Sequence, residues 1–280
     1  MPEVVLEQGP IRYREYGQGE PIVLVHGFLT DGRLWQEVAP LLAQDHRVIA
    51  PDWPLGSHEA PMKPGADLSP PGLAAIIAGF LEALELENVT LVGNDSGGAL
   101  CQLVVTKYPD RIARLVLTPA DAYENFPPPA FRPLRVIALA PPLVFALIQM
   151  MRPSWARRLP IAYGWVTKRA PDSLTASWLA PARRSSEIRR DLAKFIRGAQ
   201  SRHTVEAAKH FGDFQKPVLL AWAPEDKFFK LSSAERLERD FPNARIELIE
   251  DSYTFVAIDQ PARTAELIGQ FAHRTLSAAA

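Results

Sequence analysis

Cysteine is almost absent from this chain: 280 residues hold one, Cys101. A single thiol excludes an internal disulfide and suits a reducing, cytoplasmic setting. Net charge is also missing. Thirty-one Lys and Arg stand against 32 Asp and Glu, leaving −1, so the overall balance makes no case for nucleic acid or for an anionic membrane. No apolar run reaches the ~20 residues of a bilayer span. The most hydrophobic stretch, Val136–Met151, is uncharged, but Pro141-Pro142 divides it. It reads as two short apolar helices covering a pocket. The first ten residues carry two glutamates and no apolar run, so they do not read as a secretory leader.

What is present is an alternation of short apolar runs with helical patterns. Val4–Leu6, Ile11–Tyr16, Pro21–Val25 and His46–Ala50 read as strands, and Leu34–Leu42 has helical spacing. In Leu73–Leu86, the residues Leu73, Ile76, Ile77, Phe80, Leu81 and Leu84 form one apolar stripe. A strand through Val89–Val92, a helix to about Tyr108 and a strand at Ile112–Leu117 follow. From about Ala122 to Gly212 strand signals vanish and prolines cluster. The pattern resumes with a strand at Pro217–Trp222, a helix near Ser232–Phe241, a strand at Arg245–Ile249 and a helix from about Pro261 to Thr275, with Ala278–Ala280 as a frayed end. The expectation is an α/β fold with a mostly parallel sheet: a core of residues 1–121 and 214–280, and a helical cap of residues 122–213.

One stretch carries chemistry. Leu91–Ala99 reads LVGNDSGGA: a strand ends at Gly93 and a helix begins with Gly97, Gly98 and Ala99 in its first turn. This is the spacing of a strand–sharp turn–helix nucleophile elbow, whose central residue needs small neighbours two before and two after. Gly93 and Gly97 make Asp95 central; centring on Ser96 would put Asn94 where a small residue is required. The plain alternative is a helix N-terminus with Asp95 as its cap.

With Asp95 at the elbow, the chain resembles the α/β-hydrolase fold, and within it the aspartate-nucleophile branch of haloalkane dehalogenases and epoxide hydrolases. The resemblance implies that the His26-Gly27 loop lies beside the elbow, with the N–H groups of Phe28 and Ser96 as oxyanion donors and His26 in a structural role. It places the triad acid at Asp226 in Trp222–Phe228, with Asp121 or Glu124 as alternatives. After the last strand such proteins carry a histidine; here the chain reads Ser252-Tyr253-Thr254-Phe255, and Thr254 occupies that place. Of the six histidines, His46 and His273 are poor substitutes, while His58, on a loop at the catalytic end of the sheet, and His203 and His210, near the end of the cap, are the candidates for a relocated base, with His58 and His203 the best two. Ser96 and Phe28 stand where dehalogenases hold the halide. Tyr163 and Tyr123 are available as the cap tyrosines of an epoxide hydrolase, but Leu29 replaces the proline of that branch's loop.

Three readings follow. Asp95 attacks carbon and forms an alkyl–enzyme ester on a small apolar substrate; Asp95 serves as a general base in a lyase, isomerase or cyclase; or the chain binds an apolar ligand or partner without turnover. An ionised carboxylate needs no help to attack, but hydrolysis of its ester needs a base worth ~10²–10⁴-fold. No cofactor, metal, nucleic acid or membrane partner is expected.

Overall fold

The structure is a computed structural model describing residues 1–274. Thr275, expected to end the last helix, and the Ala278–Ala280 tail lie outside the described residues. Eight strands form one sheet: β1 (Glu3–Leu6), β2 (Gly9–Tyr16), β3 (Pro21–Val25), β4 (Arg47–Pro51), β5 (Val89–Asp95), β6 (Ile112–Ala120), β7 (Val218–Trp222) and β8 (Ala244–Leu248). Their order is β1-β2-β4-β3-β5-β6-β7-β8. The first two pairings are antiparallel and the remaining five parallel. Every strand read from the sequence is present.

The parallel strands are apolar on both faces because helices cover both. Ile22, Val23, Leu24 and Val25 of β3 are fully buried, as are Leu115, Val116 and Leu117 of β6. The Pro70–Ala83 helix starts at Ser69, whose hydroxyl accepts from Gly72 N–H, and buries Leu73, Ile76, Ile77, Phe80 and Leu81 against the sheet. Leu34–Leu42 departs from the expected continuous helix. A 3₁₀ turn at Gly32–Trp35 and a single α-turn at Ala39–Leu42 take its place. Asp31 accepts from Arg33 N–H and fixes the first turn, so the apolar spacing serves two short pieces that bury Leu34, Trp35, Val38 and Leu42.

Between β6 and β7 the described residues hold helices and turns, with no strand. The longest of these helices, Ser186–Gly198, buries Ile188, Leu192, Phe195 and Ile196 on one side. The apolar stretch forms the two short helices expected, Leu134–Ile137 and Pro141–Met150. Their side chains behave differently from the expectation: Val136, Leu139, Leu143 and Met150 face solvent, and only Leu147 and Met151 of that stretch line the cavity below. This places the cavity at the carboxyl ends of β5 and β6, where open parallel sheets leave a crevice.

Candidate active site

Asp95 ends β5 with φ of 54° and ψ of −133°, an unfavourable combination for a residue with a Cβ. The turn is held by close packing around it. A Cβ on Gly97 would lie 2.3 Å from the His26 carbonyl oxygen, and one on Gly27 would lie 2.2 Å from Asp95 Oδ2. Glycine at both positions lets the elbow and the His26-Gly27 loop touch. His26 is structural: its Nε2 accepts from Trp53 N–H at 2.8 Å, so Nδ1 carries the proton and donates to Gly27 O at 2.9 Å.

The N–H groups of Phe28 and Ser96 both approach the Asp95 carboxylate and favour its ionised form. Phe28 N–H also donates to Ser96 Oγ at 2.8 Å. That hydroxyl contact was not legible in the sequence, because it depends on the rotamer of the residue after Asp95. Asp95, Ser96, Asp121, Phe28 and Tyr163 share one cavity of about 150 Å³, walled otherwise mainly by apolar side chains such as Phe126, Leu147, Phe195 and Phe255.

Asp226 is buried and does not line the cavity. Its Oδ1 accepts from the N–H groups of Phe228 and Phe229, both at 2.7 Å, and its Oδ2 accepts from Thr254 Oγ1 at 2.7 Å. Thr254 is fully buried and is anchored from the other side by Asn94 Nδ2, which donates to its carbonyl at 2.7 Å. Asp121 is buried, lines the cavity, and its Oδ1 has no hydrogen-bond partner among the described residues.

The three carboxyls therefore titrate differently. Burial, opposed by its three donors, moves Asp226 up to about 6. Burial and then the charge of Asp226 push Asp95 up to about 7, against the pull of the Ser96 and Phe28 N–H groups. Asp121 has burial and two acidic neighbours against it, and stays well above the usual carboxylate range. Asp226 at about 6 and Asp95 at about 7 ionise ahead of Asp121, whose carboxyl both of their charges raise further.

The other sequence candidates lie elsewhere. His58 is buried, with Nε2 3.4 Å from Asp191 Oδ2, and His203 has a buried Nε2 with no hydrogen-bond partner among the described residues; neither lines the cavity. Glu124 is exposed and paired with Arg236, which removes it as an acid. Tyr123 donates to Asp240 at 2.7 Å, outside the cavity. Tyr163 does line the cavity, yet its hydroxyl donates to Leu29 O at 2.7 Å. Among the described residues, no histidine lines the cavity and no cluster of His, Cys, Asp and Glu is arranged to hold a metal.

In comparison with known proteins, the alpha/beta hydrolase fold family matches residues 20–261. The chain belongs to the alpha/beta hydrolase fold family. Haloalkane dehalogenase 2 of Mycobacterium tuberculosis is 27% identical over 274 residues, covering 93% of this chain and 91% of that protein. The 2-hydroxy-6-oxo-2,4-heptadienoate hydrolase of Pseudomonas putida is 42% identical over 106 residues, 37% of this chain and only 38% of that hydrolase. A thermophilic esterase from Thermogutta terrifontis superposes with a TM-score of 0.78 over 97% of each chain at 20% identity, a likeness of fold alone. Within the family fold, this chain presents a carboxyl-lined cavity with Thr254 bonded to the buried Asp226.

Proposed function

We propose that the protein is an acid–base enzyme acting on a small apolar molecule, with Asp95 as the proton acceptor and Asp121 as the proton donor. The observation that carries this reading is the pairing of two carboxyls with separated pKa values in one apolar cavity that no histidine among the described residues lines. In this reading the Asp95 carboxylate takes a proton from a carbon of the substrate. The electron pair moves toward a leaving heteroatom or a conjugated oxygen, and Asp121 delivers its proton there. Elimination, isomerisation and cyclisation share this demand. Residues 122–213 act as the cap and residues 1–121 and 214–280 as the core, so that water is excluded and both carboxyls stay poised.

A second reading, covalent attack by Asp95, is favoured by the two N–H groups that approach its carboxylate, since the same donors would stabilise an oxyanion on the ester. Its hydrolysis step would be slow, because the Thr254 hydroxyl is not basic. Two measurements separate the readings. In deuterated water Asp95 carries deuterium once it has exchanged with solvent, so reversal of the abstraction step should return deuterium to the same carbon of recovered substrate, and Asp95→Asn should abolish that exchange. Intact-protein mass after exposure to alkyl halide and epoxide probes would instead reveal a stable adduct on the Asp95 peptide if attack at carbon prevails. Neither exchange nor adduct across a broad panel would sink both readings.

A further inference from the structure

The net charge of −1 conceals a local imbalance. Residues 125–171 contain seven Lys or Arg and no Asp or Glu; Arg157, Lys168 and Arg169 pair with Asp172, Glu225 and Asp251 outside the segment, which leaves Arg132, Arg135, Arg152 and Arg158. The same segment holds nine of the fourteen exposed large hydrophobic side chains among the described residues. Scattered exposed apolar residues need no explanation, but a cluster of this kind marks a surface that is covered by something.

The Pro141–Met150 helix shows the pattern in detail. Val144 and Ile148 are buried beneath it. Leu143, Ala146, Leu147 and Met150 follow at i, i+3, i+4 and i+7, and of these Leu143, Ala146 and Met150 are exposed. A helix apolar on two faces has one face too many for a surface position in water. Trp155 and Ile161, each 67% exposed, and Trp165 at 44% follow it in the chain. Arg135, Arg152 and Arg158 of the same segment are exposed and have no acidic partner among the described residues. Ile161 and Arg135 also line the cavity that holds Asp95 and Asp121, so the patch continues into the cavity mouth.

We infer that this face docks on an anionic lipid surface, with the cavity mouth turned toward the bilayer. Charge complementarity selects that occupant. A second copy of the chain, packed face to face about a two-fold axis, would oppose arginines to arginines across an apolar contact with no acid to pair them. Anionic headgroups pair with the arginines while the tryptophans and aliphatic side chains enter the headgroup–acyl boundary. The attachment is peripheral, since no helix among the described residues is long and apolar enough to cross a membrane. This departs from the expectation, drawn from overall charge, that no membrane is a partner. A lipophilic molecule dissolved in the bilayer would reach the cavity without crossing water.

The test uses the full chain with phosphatidylcholine vesicles, with and without phosphatidylglycerol, at low and high salt. Four of the six tryptophans, Trp35, Trp53, Trp178 and Trp222, are fully buried, so a blue shift in fluorescence on adding vesicles reports Trp155 and Trp165. The expected result is co-sedimentation with the anionic vesicles only, weakened by salt, with a blue shift that Trp155→Phe with Trp165→Phe removes. Each cationic side chain is worth about fivefold at such a surface, so Arg135→Gln, Arg152→Gln and Arg158→Gln together should lower binding roughly 100-fold. All these side chains are exposed, and unchanged far-ultraviolet circular dichroism confirms that the variants fold. Failure to bind anionic vesicles overturns the inference. So does equal binding to neutral vesicles, or binding that the triple arginine variant retains. Concentration-dependent dimerisation in its place would assign the face to a second copy.

Discussion

Thr254 Oγ1 donates to Asp226 Oδ2 at 2.7 Å, and both side chains are buried. An acid that supports a histidine would need a donor nitrogen at this place; here it is given a neutral hydroxyl and two backbone N–H groups. The consequence is a closed structural pair: Asp226 is satisfied by its own loop and by Thr254, and it acts on the cavity through its charge. That charge is one of the causes that raise Asp95 to about 7 and Asp121 well above the usual carboxylate range.

Replacing Thr254 by valine keeps the shape and removes the donor. Asp226 Oδ2 then loses its partner, and its folded-state pKa should rise further. The expected cost is about 1–3 kcal/mol where Asp226 is ionised, above pH 6, and less at pH 5. Urea unfolding of both proteins at the two pH values measures the difference. A cost that does not depend on pH would mean the hydroxyl contributes packing alone.

Thr254→His restores an imidazole next to Asp226. The site is fully enclosed, so overpacking should cost about 1–3 kcal/mol. If alkyl probes label Asp95, release of the label should be faster in this variant, by up to the ~10²–10⁴-fold of a general base. Time-resolved intact mass follows it directly. Equal lifetimes in a folded variant would show that the imidazole does not reach the ester.

Stability should fall as pH rises through neutrality, and Asp95 is a principal cause. Its pKa is raised from 3.8 to about 7. A group raised in this way stabilises the fold fully below its unfolded value, and that contribution is lost as pH rises through the folded value. Asp95→Asn removes the titration. The variant should gain stability relative to the unmodified protein between pH 4 and pH 7, reaching on the order of a few kcal/mol at pH 8. Thermal melts across that range test the sign.

The sheet and the elbow were readable in the residues because their signals are local. Buried parallel strands are continuous apolar runs, and a strained turn between a strand and a helix forces Gly93 and Gly97 around Asp95. The place of Thr254 beside Asp226 was equally plain, since Thr254 sits in a short segment of fixed position after the last strand. Long-range pairings were not readable. Nothing near Tyr123 in the chain announces Asp240, nothing near His58 announces Asp191, and the Ser96 hydroxyl contact with Phe28 N–H joins residues 68 apart. The broken helix at Leu34–Leu42 failed for a different reason: apolar spacing at helical intervals also fits two short turns that share one buried side. Net charge concealed the uneven distribution along the chain, because averaging over 280 residues erased the basic segment 125–171.

Gly27→Ala tests the contact between the loop and the elbow. The new methyl would lie 2.2 Å from Asp95 Oδ2 and 2.5 Å from Asp95 Cβ, so either the loop or the carboxylate must move. A cost of about 1–3 kcal/mol is expected, together with loss of Asp95 reactivity toward substrate or probe. Wild-type reactivity in this variant would place the reacting group elsewhere.

The pH profile of substrate exchange separates the roles of the three carboxyls. Activity should rise as Asp95 ionises, with a midpoint near 7, and fall at higher pH when Asp121 loses its proton. Asp226→Asn removes a negative charge that raises the Asp95 pKa, so the rising limb should move to lower pH. Asp121→Asn replaces one neutral group with another at the pH where Asp95 titrates, so the rising limb should stay in place. It removes the proton donor, so the falling limb should disappear and the maximum should drop by ~10²–10⁴-fold. A profile in which Asp121→Asn shifts the rising limb and spares the maximum would assign Asp121 to electrostatic support of Asp95. The proton delivered to the substrate would then have to come from solvent.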